Sequence, residues 1–204
     1  MPAGTSLALV AADPVLRQGY HRYLCAQPEF DCGLLAGSVA EFVARLPTAA
    51  RLPRLVLADL ALPELANGAG LAALRRAVPA AEVVLLAEAH EAGQLVQALR
   101  AGAVGYLLKS SWLREAKASL LNVLAGGSPM SPAVARQLGR HLQAAPAVLT
   151  TQERQLVQAI GEGLSYRLVA EQLGLAPVAL GAGIRQVYAR LAAGAPARPG
   201  YSQG

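Results

Sequence analysis

Aromatic residues are scarce: Phe, Tyr and Trp make up 4% of the 204 residues, while hydrophobic residues as a whole reach 54%. The core must then be built from Ala, Leu and Val, which suits helices packed on a parallel sheet better than an all-β sandwich. Cysteine is limited to Cys25 and Cys32. Two such residues form neither a metal-type spacing nor a disulfide framework, and both are expected to be small apolar thiols kept reduced. His21, His90 and His141 are scattered and suggest no zinc site. No apolar run approaches the roughly 20 residues that span a bilayer. The stretch Leu7 to Ala12 is short and meets Asp13-Pro14, which excludes a signal-peptide pattern. A cytoplasmic protein without membrane attachment is expected.

Charge is present but uneven. Residues 1–130 hold 11 Lys+Arg against 10 Asp+Glu, whereas residues 131–204 hold 7 against 3, so most of the net +5 lies in the last third. A basic C-terminal region is compatible with nucleic acid as a partner, and equally with a solvated basic face.

Hydrophobic patterning divides the chain. Ser6–Ala11, Cys32–Ala36, Leu55–Asp59, Val83–Ala87 and Val104–Leu108 read as short strands. They alternate with helices over Asp13–Ala26, Val39–Leu46, Leu71–Val78, Ala92–Ala101 and Trp112–Ala125. Five βα units predict a doubly wound, five-stranded parallel sheet with helices on both faces. Functional groups in such sheets gather at the carboxyl ends of the strands, here residues 11–13, 59–63, 87–88 and 109. After Gly126-Gly127 the pattern is helical only: Pro132–Gln143, a break at Ala144–Ala147, then Thr150 or Thr151 to Glu162, Tyr166–Leu173 and Val178–Leu191. The expected units are 1–127, a linker helix within 128–147, a small all-α domain at 148–192, and a disordered tail at 193–204.

Three segments of the first unit resemble receiver domains of NarL/FixJ-type response regulators. They are Leu9-Val10-Ala11-Ala12-Asp13-Pro14, Leu55-Val56-Leu57-Ala58-Asp59-Leu60 with Leu62-Pro63, and Arg100-Ala101-Gly102-Ala103-Val104-Gly105-Tyr106-Leu107-Leu108-Lys109. Order and spacing agree apart from a short insertion around Glu64–Gly70. The resemblance implies a flavodoxin-like fold with Asp59 at the phosphoacceptor position, Lys109 at the receiver lysine and Tyr106 at the switch aromatic. It also implies a loss. Ala11 and Ala12 stand where the family places the two carboxylates that help hold Mg²⁺, and Ala87 replaces the switch hydroxyl. One carboxylate plus water meets the octahedral demand of Mg²⁺ poorly, so Mg²⁺ binding is expected to be weak or absent. Without metal or phosphate, Asp59 and Lys109 are expected to pair directly. Asp13 suits an N-cap, and Glu88 a solvated loop acid.

Residues 149–191 are similar to the LuxR-type helix-turn-helix. The carriers are Leu149-Thr150-Thr151-Gln152-Glu153-Arg154, Gly163-Leu164-Ser165, Val169 to Leu175, and the apolar face Leu180, Ile184, Val187 and Leu191. A recognition helix reads bases with polar or basic side chains on its outward N-terminal half. Ala179, Gly181, Ala182 and Gly183 occupy that place, and each glycine costs the helix about 1 kcal/mol relative to Ala. Arg167, Arg185, Gln186 and Arg190 remain as candidates for phosphate contacts that are sensitive to salt and indifferent to sequence.

The expected function is an atypical response-regulator transcription factor that binds DNA and is not controlled by phosphorylation. The alternative is a degenerate receiver and helical module that binds a protein partner, or a second copy through the receiver, without sequence-specific DNA binding. An enzyme is not expected: the strand ends offer no nucleophile–base pair, and no glycine-rich phosphate loop follows the first strand.

Overall fold

Side-chain alternation along the strands decides the layering. In the computed structural model, which describes residues 4–66, 68–110, 113–143 and 148–194, β1 (Thr5–Val10) points Leu7 and Leu9 to one face and Ala8 and Val10 to the other. The remaining strands are β2 (Phe30–Ala36), β3 (Leu55–Asp59), β4 (Glu82–Ala87) and β5 (Gly105–Leu108), all parallel in the order β2-β1-β3-β4-β5. This is the flavodoxin-like doubly wound order, whose crevice opens at the carboxyl ends of β1 and β3. Every residue of β3 is buried, as a central strand covered on both faces requires.

Two helical layers cover the sheet. α1 (Pro14–Cys25) and α6 (Leu113–Leu124) pack Tyr20, Leu24, Ala116, Leu120 and Val123 onto Leu7, Leu9, Leu55 and Leu57. On the other face lie α2 (Val39–Arg45), α4 (Ala69–Ala77) and α5 (Ala92–Arg100), with Phe42, Leu71, Leu74, Leu95 and Leu99. The insertion expected around Glu64–Gly70 holds a short helix, α3 (Pro63–Ala66), before α4 begins. Gly68 adopts φ +76° between them, a conformation that L side chains rarely adopt.

The helical part comprises α7 (Pro132–Gln143), α8 (Thr151–Gly161), α9 (Tyr166–Gln172) and α10 (Pro177–Ala193). α8 starts with a capping box: the Thr150 side chain accepts from the Glu153 amide, and the Glu153 carboxylate accepts from the Thr150 amide. Ser165 caps α9. α10 runs two residues beyond the expected Leu191. The expected break at 144–147 and the tail from residue 195 onward lie outside the described residues. Among those described, no helix is long and apolar enough to cross a membrane.

The second face of the sheet and the helical part share one apolar core. Leu85, Leu95, Leu99 and Tyr106 are continuous with Met130, Val134 and Leu138, and these with Leu156, Ile160, Ile184, Val187 and Tyr188. This burial ties the linker helix and the last three helices to the receiver-like layer.

Candidate functional site

Asp59 ends β3 and is 4% exposed. Its Oδ1 lies 2.7 Å from Lys109 Nζ and also accepts the Ala61 amide at 3.0 Å. The Lys109 amide donates to the Ala87 carbonyl at 3.0 Å, which fixes the lysine at the end of β5 beside the end of β4. Sequence reasoning expected this direct pairing, and the geometry brings the two together. Ala87 itself is fully buried and contributes no hydroxyl to the rim. The Tyr20 hydroxyl is raised above its ordinary range by burial, with the negative charges of Asp59 and Glu88 adding to the effect.

The rim does not fit Mg²⁺. Asp59 is the one carboxylate at the acceptor position, and Ala11 and Ala12 supply only backbone carbonyls. Both carbonyls already accept from the Arg17 guanidinium, Ala12 at 3.3 Å. Asp13 accepts the Val15 amide at 2.8 Å and caps α1, as expected. Glu88 departs from the expected solvated loop acid: it forms a capping box with Glu91 over the 3-10 turn Ala89–Glu91. Among the described residues, no three His, Cys, Asp or Glu side chains are grouped to hold a metal ion. A hard dication needs six oxygen ligands in near-octahedral order, and here the available acids are already engaged.

The second candidate surface is α10. Leu180, Ile184, Val187 and Leu191 are buried in the core, as their spacing requires. Gly183 faces inward as well, where an added Cβ would lie 3.2 Å from Leu156 Cδ1. Among the proposed phosphate contacts, Arg167 and Gln186 are exposed. Arg190 is half-exposed, with Nε 2.7 Å from Glu153 Oε1. Arg185 is turned away from solvent: its Nη2 lies 2.6 Å from both carboxylate oxygens of Glu82, the first residue of β4. The four candidates therefore do not form one open face.

Three tyrosines converge on the segment between α6 and α7. The Tyr106 hydroxyl accepts the Ser131 amide. Tyr166 accepts the Met130 amide at 2.7 Å and donates to its carbonyl at 2.9 Å, and Tyr188 donates to the Pro129 carbonyl at 2.7 Å. Burial pushes the Tyr106 hydroxyl up to about 12 and raises those of Tyr166 and Tyr188.

Curated relatives align with nearly the whole described fold. The transcriptional regulatory protein UhpA of Escherichia coli is 30% identical over 173 residues, 84% of each chain. The chain belongs to the NarL/FixJ family of response regulators. The DNA-binding transcriptional activator DevR/DosR of Mycobacterium tuberculosis is 33% identical over 175 residues, covering 82% of this chain and 79% of the relative. No protein-family model matches. Among solved structures, RcsB of Salmonella enterica serovar Typhimurium, bound to the promoter rprA with a phosphomimetic, superposes with a TM-score of 0.58 at 15% identity. It covers 93% of this chain and 92% of that one, a likeness of fold.

Within this response regulator, sequence reasoning missed Glu82, Arg17 and the roles of Tyr166 and Tyr188. Tyr188 is within reach of the sequence, since it follows Ile184 by four residues and precedes Leu191 by three, on the flank of the apolar face. Glu82 and Arg185 are 103 positions apart, and nothing local announces their pairing.

Proposed function

We propose that this response regulator acts as a DNA-binding transcription regulator whose receiver works without phosphoryl transfer. The observation that carries the second half is the Asp59–Lys109 pair, closed over a rim whose neighbouring acids, Asp13 and Glu88, are engaged as caps. Mg²⁺ offsets the charge of an incoming phosphoryl group, and a rim that holds it poorly leaves Asp59 a weak acceptor. Incubation with acetyl phosphate and Mg²⁺, followed by intact mass, tests this. The expected spectrum is unchanged, and a stable gain of one phosphate on Asp59 overturns it.

DNA binding is supported by the helix-turn-helix order of α8, α9 and α10 and by the relatives, which are named as transcription regulators. The exposure of Arg167, Gln186 and Arg190 supports them as phosphate contacts, and the small side chains at 179, 181, 182 and 183 are too short to read a base edge. Binding is then salt-sensitive and largely independent of sequence. The small side chains favour a second reading, a protein-interaction module without sequence-specific DNA binding. A gel shift with random duplex DNA at low and moderate salt separates the two. Retardation at low salt supports the regulator, and its absence there supports the module.

A further inference from the structure

The two thiols of the chain meet near the amino end of β2. Cys25 is the last residue of α1 and is exposed, and Cys32 lies within β2, half-buried. The turn between them is pinned. The Gln27 amide donates to the Leu24 carbonyl at 3.0 Å, and the Phe30 amide to the Gln27 carbonyl at 3.2 Å. From α6, Lys117 Nζ reaches Gln27 Oε1 at 3.1 Å and Glu29 Oε1 at 2.8 Å. Cys32 pairs with Leu7 of β1 and Leu34 with Ala8, so Gly33 is an extra residue in the ladder. This bulge switches the alternation of β2: Phe30 and Cys32 face the layer of α1, whereas Leu34 and Ala36 face the other. Cys32 is thereby turned toward the end of α1, where its thiol and that of Cys25 share a hydrogen bond. Burial, followed by that contact and the Cys25 charge, holds the Cys32 thiol far above its ordinary range.

We propose that Cys25 and Cys32 close a reversible disulfide when the chain meets a hydroperoxide, which makes the α1–β2 turn an oxidant-responsive modification site. The exposed thiol reacts first, because a buried thiol held protonated is a poor nucleophile. Cys25 gives up its proton and its sulfur attacks one peroxide oxygen. The O–O bond breaks, Cys25 becomes a sulfenic acid, and the departing oxygen takes a proton and leaves as water or an alcohol. Cys32 Sγ then attacks the Cys25 sulfur. The S–S bond forms, the S–O bond breaks, and the released hydroxide takes the Cys32 proton and leaves as water. The two thiols together lose two electrons, and one peroxide is reduced by them. A disulfide this near the surface belongs with the labile, regulatory ones rather than with structural crosslinks. The pair stands near the amino end of its strand, whereas Asp59 and Lys109 stand at the carboxyl ends of theirs. It therefore goes beyond the proposed function and does not depend on it.

Hydrogen peroxide added to the reduced full chain, followed by alkylation and intact mass, tests this. The parent is expected to lose about 2 Da, to become closed to alkylation at both thiols, and to regain both with dithiothreitol. Peptide mapping is expected to place the link between Cys25 and Cys32 of one chain. Cys32→Ser is expected to stop at a Cys25 sulfenic acid that dimedone traps. Cys25→Ser is expected to react at least about tenfold more slowly than the parent, since its remaining thiol is half-buried and held protonated. A parent whose two thiols both stay open to alkylation overturns the proposal. So does a parent that links to a second chain through Cys25, or that halts at an oxidised Cys25 with Cys32 still free. A Cys25→Ser chain that reacts as fast as the parent overturns it as well.

Discussion

Lys109 Nζ and Asp59 Oδ1 stand 2.7 Å apart with the two side chains only 14% and 6% exposed. A pair this buried punishes the loss of one partner, because the other charge is left uncompensated. Lys109→Met is expected to destabilise the fold by about 3–5 kcal/mol. Lys109→Met combined with Asp59→Asn is expected to cost less than the single change. Urea midpoints of the two variants, compared at a common slope, check both expectations.

The tyrosines predict an alkaline transition with a definite sign. Tyr106 is pushed up to about 12, and Tyr166 and Tyr188 are also raised, burial being the first cause in each case. The folded chain thus holds these protons more tightly than the unfolded chain, whose tyrosines ionise near 10. The associated stability is complete below about pH 10 and is lost as pH rises through about 12. A titration following tyrosinate absorbance should show these groups ionising together with loss of protection at Met130 and Ser131.

The capping box of α8 predicts an acid-side effect. Burial opposes the charge of Glu153, but hydrogen bonds from Thr150 and the ion pair with Arg190 outweigh it and hold the carboxyl below its usual range. For a lowered carboxyl, stability is present above the unfolded value and is lost as pH falls through the folded one. The helical domain should therefore weaken below about pH 4.5. Thr150→Ala should cost about 1 kcal/mol at neutral pH, read as a shift of the thermal midpoint.

The proposed phosphate contacts of Arg167 and Arg190 predict a shallow dependence on salt. Two neutralised phosphates give a slope of log K against log salt near −2, at about −0.9 per contact. Arg167→Ala should flatten the slope by about one. A slope unchanged by this substitution would remove Arg167 from the interface.

Much of the layout was legible because local rules decide it. The Asp13-Pro14 start of α1 and the Thr150 cap of α8 are set within a few residues, and β3 is a short apolar run ending in an acid. The absence of Ala11 and Ala12 carboxylates is visible without coordinates, and so was the expectation that Asp59 and Lys109 would meet. What stayed hidden depends on contacts between distant parts of the chain. Gly181 and Gly183 look like erosion in the sequence. In the fold, one seats against the Gly126–Ser128 turn and the other against Leu156. Arg185 looks like a solvent-facing cation until Glu82 is brought beside it.

The apolar core common to sheet and helices has a consequence for thermal behaviour. Domains joined by a flexible tether melt in separate steps. Here Leu95 and Leu99 of α5 and Met130, Val134 and Leu138 are part of the same packed interior as Ile184 and Tyr188. Melting either part strips cover from the other. The calorimetric and van't Hoff enthalpies should agree for the full chain, so that the protein behaves as one melting unit with two architectures.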